Sequence, residues 1–525
     1  MSKAIDNLLS RLADSGQAFL LNTGLKGLEK ESLRIGTDGL IAHTPHPAAL
    51  GSALTHPQIT TDYSEALLEL ITPPYSDPAA TLDYLDDIHH FVYANIGDEC
   101  LLGSSMPCGI DGDESIPIAR YGSSNIGRMK YIYRLGLAYR YGRTMQAIAG
   151  IHFNYSVADG LWPVLQDLAG DRRPLPEFIA DAYFGMIRNI LRHGWLVLYL
   201  FGASPAICRA FFTGREGLAK QFDRFDGDTL YKPYATSLRM SDIGYKNNNQ
   251  AGLRISFNHL DEYLASLGHA IATPNPDYLR IGVKVDGAYR QLNANLLQIE
   301  NEYYNSVRPK QIVQSGEKPT LALKRRGIRY VELRSLDLDP FQPCGLGLAE
   351  LRFLEAFMLY CLFEASVPFD ETERCAANAN LQAVAVEGRR PGLTLQRDGT
   401  GVALKQWAEE ISASMAPLCA MLDHGLSDAP YSASLAQQCA KIRDPAATPS
   451  ARILAQMQES GECFGAFAQR LSHQHARQYR SRPMDAQKIA VFRAMAEKSL
   501  AEQQHMEADN ALPFDDFLQR YFAQH

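Results

Sequence analysis

Glu29 and Glu31, in GLEKESLRI, stand two residues apart, so a strand points both carboxylates to one side, about 7 Å apart along the chain. On an exposed edge strand such a pair is simply a solvated face, and the pair alone does not choose between that and a site. In ITTDYSEALLELITPP, Asp62 opens a turn and Glu69 sits inside the apolar run Leu67-Leu68-Glu69-Leu70-Ile71. A carboxylate among such neighbours needs a partner, because desolvating it alone is too costly, and a metal ion or an arginine meets that need equally well. In RYVELRSLDLDPF, Tyr330, Glu332 and Arg334 share one strand face. A Glu two residues from an Arg is a plain ion pair, or it holds a divalent cation and a transferring phosphate side by side. Two further strands are predicted. LLQIENEYYNSVRPK places Gln298, Glu300, Glu302 and Tyr304 on one face, and MQAIAGIHFNYSV gives Gln146, His152 and Asn154 the same parity. A lone histidine on a strand is more often a hydrogen-bonded structural residue than a ligand.

A sheet that brought these faces together would gather Glu29, Glu31, Asp62, Glu69, Glu332 and His152, with Arg239 (in SLRMSD) and Arg334 as cations. Hard oxygen ligands with one imidazole favour Mg²⁺ or Mn²⁺ over zinc. Several such ions beside arginines form the apparatus of phosphoryl transfer. The spacing presupposes the sheet that it helps to infer. A phosphate-ester hydrolase, or a binding protein with structural ion pairs, fits the same spacing.

The elements that must position these residues fall into two regimes. Up to about residue 345, short strands mix with helices and long polar loops; beyond it the pattern is mostly helical, with Thr448-Pro449-Ser450 as one helix start. The expected class is α+β, a single catalytic domain over 1–525 with a mixed core at 1–345 and a mainly helical part at 346–525. Loops 111–127 and 212–231 read as substrate lids or as plain surface excursions. Ile5, Leu8, Leu9 and Leu12 have helical spacing and predict a docked first helix; Asp6, Arg11 and Asp14 break any signal-peptide core.

Composition narrows the classes. The 525 residues are 46% hydrophobic and 21% charged, with a formal net charge of −8, which gives no general field for nucleic acid or an anionic membrane. The longest apolar run, 195–207, is too short to span a membrane and contains Gly202, Ser204 and Pro205. Nine cysteines without a CxxC leave zinc ribbons and thioredoxin-type motifs unsupported, and a reduced, cytoplasmic protein is expected. Cys361 and Cys419 read as buried small apolar residues. A P-loop, a dinucleotide GxGxxG, GxSxG and HExxH are all absent. His473-Gln474-His475, in a basic helical stretch, reads as a solvated helix face.

These residues also carry a family resemblance. GLEKESLRI, GSALTHPQITTDYSEALLELITP, SSMPCGI, YGSSNIGRMKYIYRLGLAYRYG, MQAIAGIHFNYS, YLFGASPAICR, PYATSLRMSDIGY, LQIENEYYNSVRPK and YVELRSLDLDPF resemble proteobacterial glutamate–cysteine ligase (γ-glutamylcysteine synthetase). The resemblance runs from about residue 24 to 361 and again through 387–395, and is weak over 396–445 and at the C-terminal end. It implies a glutamine synthetase-like fold, a curved, largely antiparallel sheet forming a funnel-shaped active site. It implies ATP-dependent ligation of L-glutamate to L-cysteine through a γ-glutamyl phosphate, the first step of glutathione biosynthesis. By the same resemblance Glu29, Glu31, Asp62, Glu69, His152 and Glu332 fall on Mg²⁺-ligand positions, and Arg239 and Arg334 on positions for the transferred phosphoryl group and the substrate. Tyr133, Arg134, Leu137, Gln146, Tyr245 and Tyr304 match positions that shape the cysteine pocket. Another amine acceptor on the same fold is the near alternative. A monomer without nucleic-acid or membrane partners is expected, and glutathione feedback is suggested by the resemblance alone. No second ATP-grasp domain is expected. The run Lys324-Arg325-Arg326 meets either nucleotide phosphates or solvent.

Overall fold

The computed structural model describes residues 2–243, 250 and 252–524. Its main sheet has seven strands, numbered here along the chain: β1 (Leu25–Ile35), β2 (Ile59–Thr61), β3 (Leu67–Ile71), β4 (Cys100–Leu101), β5 (Ile151–Ser156), β6 (Val307–Lys310) and β7 (Tyr330–Leu336). Their order is β6-β7-β5-β1-β3-β2, with β4 pairing the far end of β1, and every pairing is antiparallel. β1 is therefore central, and the edge-strand reading of Glu29 and Glu31 is wrong.

β1 is buried on both faces although both carry charge, and each face solves that differently. On the helical side, Lys26 Nζ pairs with Glu355 Oε1 at 2.5 Å, Lys30 Nζ meets His89 Nε2 at 2.6 Å, and Arg34 Nη1 pairs with Glu99 at 2.6 Å. Those partners come partly from two helices packed on the sheet, Pro78–Tyr93 and Leu348–Phe363. The alternation of β1 leaves Glu29 and Glu31 on the opposite face.

The predicted strand at 297–304 does not form. Glu300–Glu302 is a single 3-10 turn, and the strand begins only at Val307. The cause lies in Glu302, whose Oε2 accepts from the Gln298 backbone N–H at 2.7 Å while Oε1 accepts from Arg140 at 2.8 Å and Tyr141 at 2.7 Å. A carboxylate bonding its own backbone four residues back curls the chain out of an extended ladder. Gln146 likewise sits on a 3-10 turn, Thr144–Ala147, ahead of β5.

Neither long polar loop is bare. Segment 212–231 contains strands Asp223–Arg224 and Thr229–Tyr231, which form a small sheet with Ala206–Cys208. Segment 111–127 is tied down where Asp113 accepts from the Arg143 and Thr144 backbone N–H groups at 3.0 and 2.9 Å. Among the described residues beyond 345, the regular structure is helical apart from one hairpin, Thr394–Arg397 with Thr400–Ala403. Thr448 caps the helix Pro449–Ser460, and the first helix, Ser2–Asp14, buries Ile5, Leu9 and Leu12 as expected.

His475 departs from the solvated-face reading: it is buried, with Nε2 2.9 Å from the Pro340 carbonyl. Cys361 and Cys419 are buried, and all nine cysteines are free thiols. Among the described residues no helix is long and apolar enough to cross a membrane.

Candidate active site

Strand register assembles the acidic cluster. Glu29 lies opposite His152 on β5 and Glu31 opposite Glu69 on β3, while Glu332 on β7 faces Asn154. His152 Nδ1 is 3.0 Å from Glu29 Oε2 and 3.6 Å from Glu332 Oε1, and its Nε2 is 3.7 Å from Glu31 Oε1. Among the described residues, ligand atoms of Glu29, His152 and Glu332 all lie within 4.8 Å of one another. Glu31, Asp62 and Glu69 stand around this triad and act on it and on one another through their charge.

The electrostatics are those of carboxylates crowded together out of water. Burial pushes the Glu69 carboxyl well above its usual range, and the charges of Glu29, Asp62 and Glu31 push it further. Glu31 is raised chiefly by burial as well. At Glu332 burial acts upward too, but Arg334, Lys310, His152 and Arg308 outweigh it and hold the carboxyl well below the usual range. Arg334 Nη1 sits 3.0 Å and Lys310 Nζ 3.3 Å from Glu332 Oε1. The other oxygen, Oε2, and His152 Nε2 are buried without a hydrogen-bond partner. Nε2 faces Glu31 Oε1, and an imidazole nitrogen among carboxylate oxygens is a set of donors that would hold a divalent cation. The donor set fits Mg²⁺ or Mn²⁺.

Beside this cluster opens a cavity of about 90 Å³. Glu31, Asp62, Arg239 and Arg334 line it, together with Tyr133, Arg134, Leu137, Gln146 and Tyr304. The helix Asn125–Tyr141 supplies Tyr133, Arg134 and Leu137 from one face, started by the Ser124 hydroxyl accepting from the Gly127 N–H. Gly136 lets that helix approach: an added Cβ would lie 2.2 Å from Gln298 Oε1. Arg134 Nε donates to the Asp62 carbonyl, and its guanidinium lies 4.6 Å over the Tyr121 ring. Tyr304 donates to Gln146 Oε1 at 2.9 Å. Tyr245 lies outside the described residues.

A bulge in β7 aims Arg334. Pairing with β5 slips by one residue between Leu333 and Leu336, while on the other edge the Arg334 N–H continues the β6 ladder by donating to the Ser306 carbonyl at 2.8 Å. Four cavity residues, Tyr63, Met145, Ile148 and Asn301, were not anticipated. Nor was Lys310, although the alternation of SVRPK puts it and Arg308 on one parity, with Arg308 directly opposite Glu332. Lys324, Arg325 and Arg326 are exposed; Arg326 pairs with Glu317, and none of the three lines the cavity.

The family model described as glutamate–cysteine ligase matches residues 9–384. A glutamate–cysteine ligase of Pseudomonas paraeruginosa is 51% identical over 100% of this chain and 98% of its own length. One from Alcanivorax borkumensis is 48% identical over 99% of each. The chain belongs to the glutamate–cysteine ligase family. Its fold is that of the Francisella tularensis ligase, solved as a crystal structure in complex with AMP, at a TM-score of 0.88 and 35% identity over 95% of this chain and 97% of that one. A bifunctional glutathione synthetase from Pasteurella multocida matches at a TM-score of 0.74 and 25% identity, covering 93% of this chain but 58% of that one. The ligase thus has the glutamine synthetase-like architecture expected from its sequence. Its activity is the ATP-dependent joining of glutamate to cysteine to give γ-glutamylcysteine, the first step of glutathione biosynthesis.

Proposed function

We propose that the acidic cluster and the adjoining cavity divide this reaction between them. Glu29, Glu31, Asp62, Glu69, His152 and Glu332 would hold Mg²⁺, with Mn²⁺ as a substitute, and the ions would neutralise charge on the phosphate oxygens of ATP. Arg239 and Arg334 face the transferred phosphoryl group, where fixed cations stabilise charge as it develops. The γ-carboxylate of glutamate takes the γ-phosphoryl group and ADP leaves. The amine of cysteine then attacks the acyl carbon and phosphate leaves. Tyr133, Arg134, Leu137, Gln146, Tyr245 and Tyr304 shape the cysteine pocket, their rings and aliphatic stems receiving a small thiol side chain and their polar ends orienting its head. The walls of the cavity keep water from the acyl phosphate.

The observation that carries this reading is Glu31. It lines the cavity, as Asp62 does, and also faces His152 of the triad, so two carboxylates of the proposed metal-binding set belong to the pocket as well. We further propose that 1–525 is one catalytic domain, that it acts as a cytoplasmic monomer, and that glutathione is a feedback inhibitor.

Phosphate release from ATP, with Mg²⁺ and glutamate present, tests the reading. Cysteine and α-aminobutyrate should both stimulate it strongly, because the amine reacts and the thiol only binds. Release that needs no glutamate would instead mark a phosphohydrolase. Omitting Mg²⁺ should abolish turnover.

A further inference from the structure

Arg239 sits on a short turn, Leu238–Met240, away from the main sheet, and is only 1% exposed. A guanidinium so far from water must be held from several sides. Its Nη2 donates to the Arg334 carbonyl at 2.9 Å. Its Nη1 lies 3.8 Å from Oδ1 of Asp337, a carboxylate just past β7 that is itself 3% exposed. Asp337 does more than balance charge. Oδ2 accepts from the Ala203 N–H at 2.8 Å and the Ser204 hydroxyl at 2.6 Å, and Oδ1 accepts from the Ser237 hydroxyl at 2.9 Å. Those two serines hold the turn: Ser204 Oγ accepts from the Arg239 N–H and Ser237 Oγ from the Met240 N–H, each at 3.3 Å. One carboxylate therefore fixes both the backbone of the turn and the position of the guanidinium.

The opposite side is Gly150, immediately before β5. A Cβ added there would lie 2.0 Å from Arg239 Nη2 and 2.4 Å from Cζ. The guanidinium lies against bare backbone, so no larger residue leaves it in place. Gly150 also grips Glu31: its N–H donates to Glu31 Oε2 at 2.7 Å and its carbonyl accepts from the Glu31 N–H at 2.9 Å.

We propose that Asp337 and Gly150 are positioning residues for phosphoryl transfer, setting the height and direction of the Arg239 guanidinium from two sides without touching substrate. The inference rests on the reading of Arg239 as a phosphoryl-contacting arginine. Misplacing such a group by about 1 Å costs on the order of 100-fold in rate.

The experiment is a pair of double-mutant cycles on the full chain. Gly150→Ala and Asp337→Asn are each made alone and with Arg239→Ala, and kcat, KM for cysteine and the thermal midpoint are measured. In the parent background each should lower kcat about 10- to 100-fold, with KM for cysteine changed less than about 3-fold. Arg239→Ala vacates the space, so on that background either change should alter the residual kcat less than about 2-fold. Should Asp337→Asn fold poorly, Gly150→Ala carries the test alone, since it deletes no buried partner. Equal losses on both backgrounds would overturn the seat while leaving the role of Arg239 intact. Near-normal kcat in Arg239→Ala itself would overturn both.

Discussion

Glu332 is the residue on which the site turns. It is fully buried, ties Arg334 and Lys310 to the acidic cluster, and keeps its second oxygen unpartnered. Glu332→Gln preserves its volume and removes its charge, so turnover should fall at least about 100-fold with the far-UV spectrum unchanged. The Mg²⁺ concentration giving half-maximal rate should rise with it, and near-normal activity would take Glu332 out of the metal set. On the pocket side, Tyr304→Phe removes one hydrogen bond to Gln146, worth about 1 kcal/mol. KM for cysteine should rise about 2- to 10-fold and KM for glutamate much less; equal rises would remove Tyr304 from the cysteine pocket. Legibility in the sequence divides the same way. Glu29, Glu31 and Glu332 were readable because strand parity alone decides which face a side chain takes. Tyr63 and Asn301 were not, because chain turns outside the strands bring them to the cavity and no periodicity records that.

At the scale of elements, β2 shows how a buried imidazole starts a strand that leads to a proposed ligand, Asp62. His56 is buried, and its Nδ1 accepts from the Gln58 and Ile59 N–H groups at 3.1 and 2.9 Å, just ahead of Asp62 in the chain. A nitrogen accepting two backbone protons cannot carry its own, and burial lowers His56 to about 4 from 6.5. His46 is likewise lowered to about 4, by burial first and then by the charges of Arg34 and His56. Both are neutral in the fold and protonate more readily when unfolded. Their contribution is complete above pH 6.5 and is lost as pH falls toward 4. Each proton adds a slope of at most about 1.4 kcal/mol per pH unit. His56→Asn offers an amide oxygen in place of Nδ1 and does not titrate, so urea unfolding across that window should show a slope shallower by about 1 kcal/mol per pH unit. Identical acid limbs would refute the assignment. Sequence reasoning failed among the elements where a side chain overrode the backbone pattern. Alternation at 297–304 predicted a strand, but Glu302 captured the Gln298 N–H and folded the segment into a turn.

For the whole molecule, the division into a mixed core and a helical remainder was legible as a change of pattern near residue 345, whereas the curved sheet came from the family resemblance rather than from spacing. Neither revealed how far the helices reach back. The helix Ala486–Ala508 presents Ser499, whose Oγ accepts from the Ser52 N–H at 2.9 Å, and the helix Phe514–Phe522 packs Phe514 and Leu518 against Ile132 of the helix that lines the cavity. At the back of the sheet, Lys26 of β1 pairs with Glu355 of Leu348–Phe363, which also accepts from Tyr431 of Pro430–Arg443 at 2.7 Å. Lys26 and Glu355 are 1% and 0% exposed, so this pair is a buried joint between the strand that carries Glu29 and Glu31 and the helical half. Removing one partner leaves the other charge buried and alone, at a cost of about 3–5 kcal/mol. Glu355→Ala should therefore lower the thermal midpoint by several degrees. If the two halves form one cooperative unit, calorimetry will show a single transition moved as a whole, with activity lost over the same range. A second transition left at the parent temperature would show that the helical half folds by itself and that the joint only docks it.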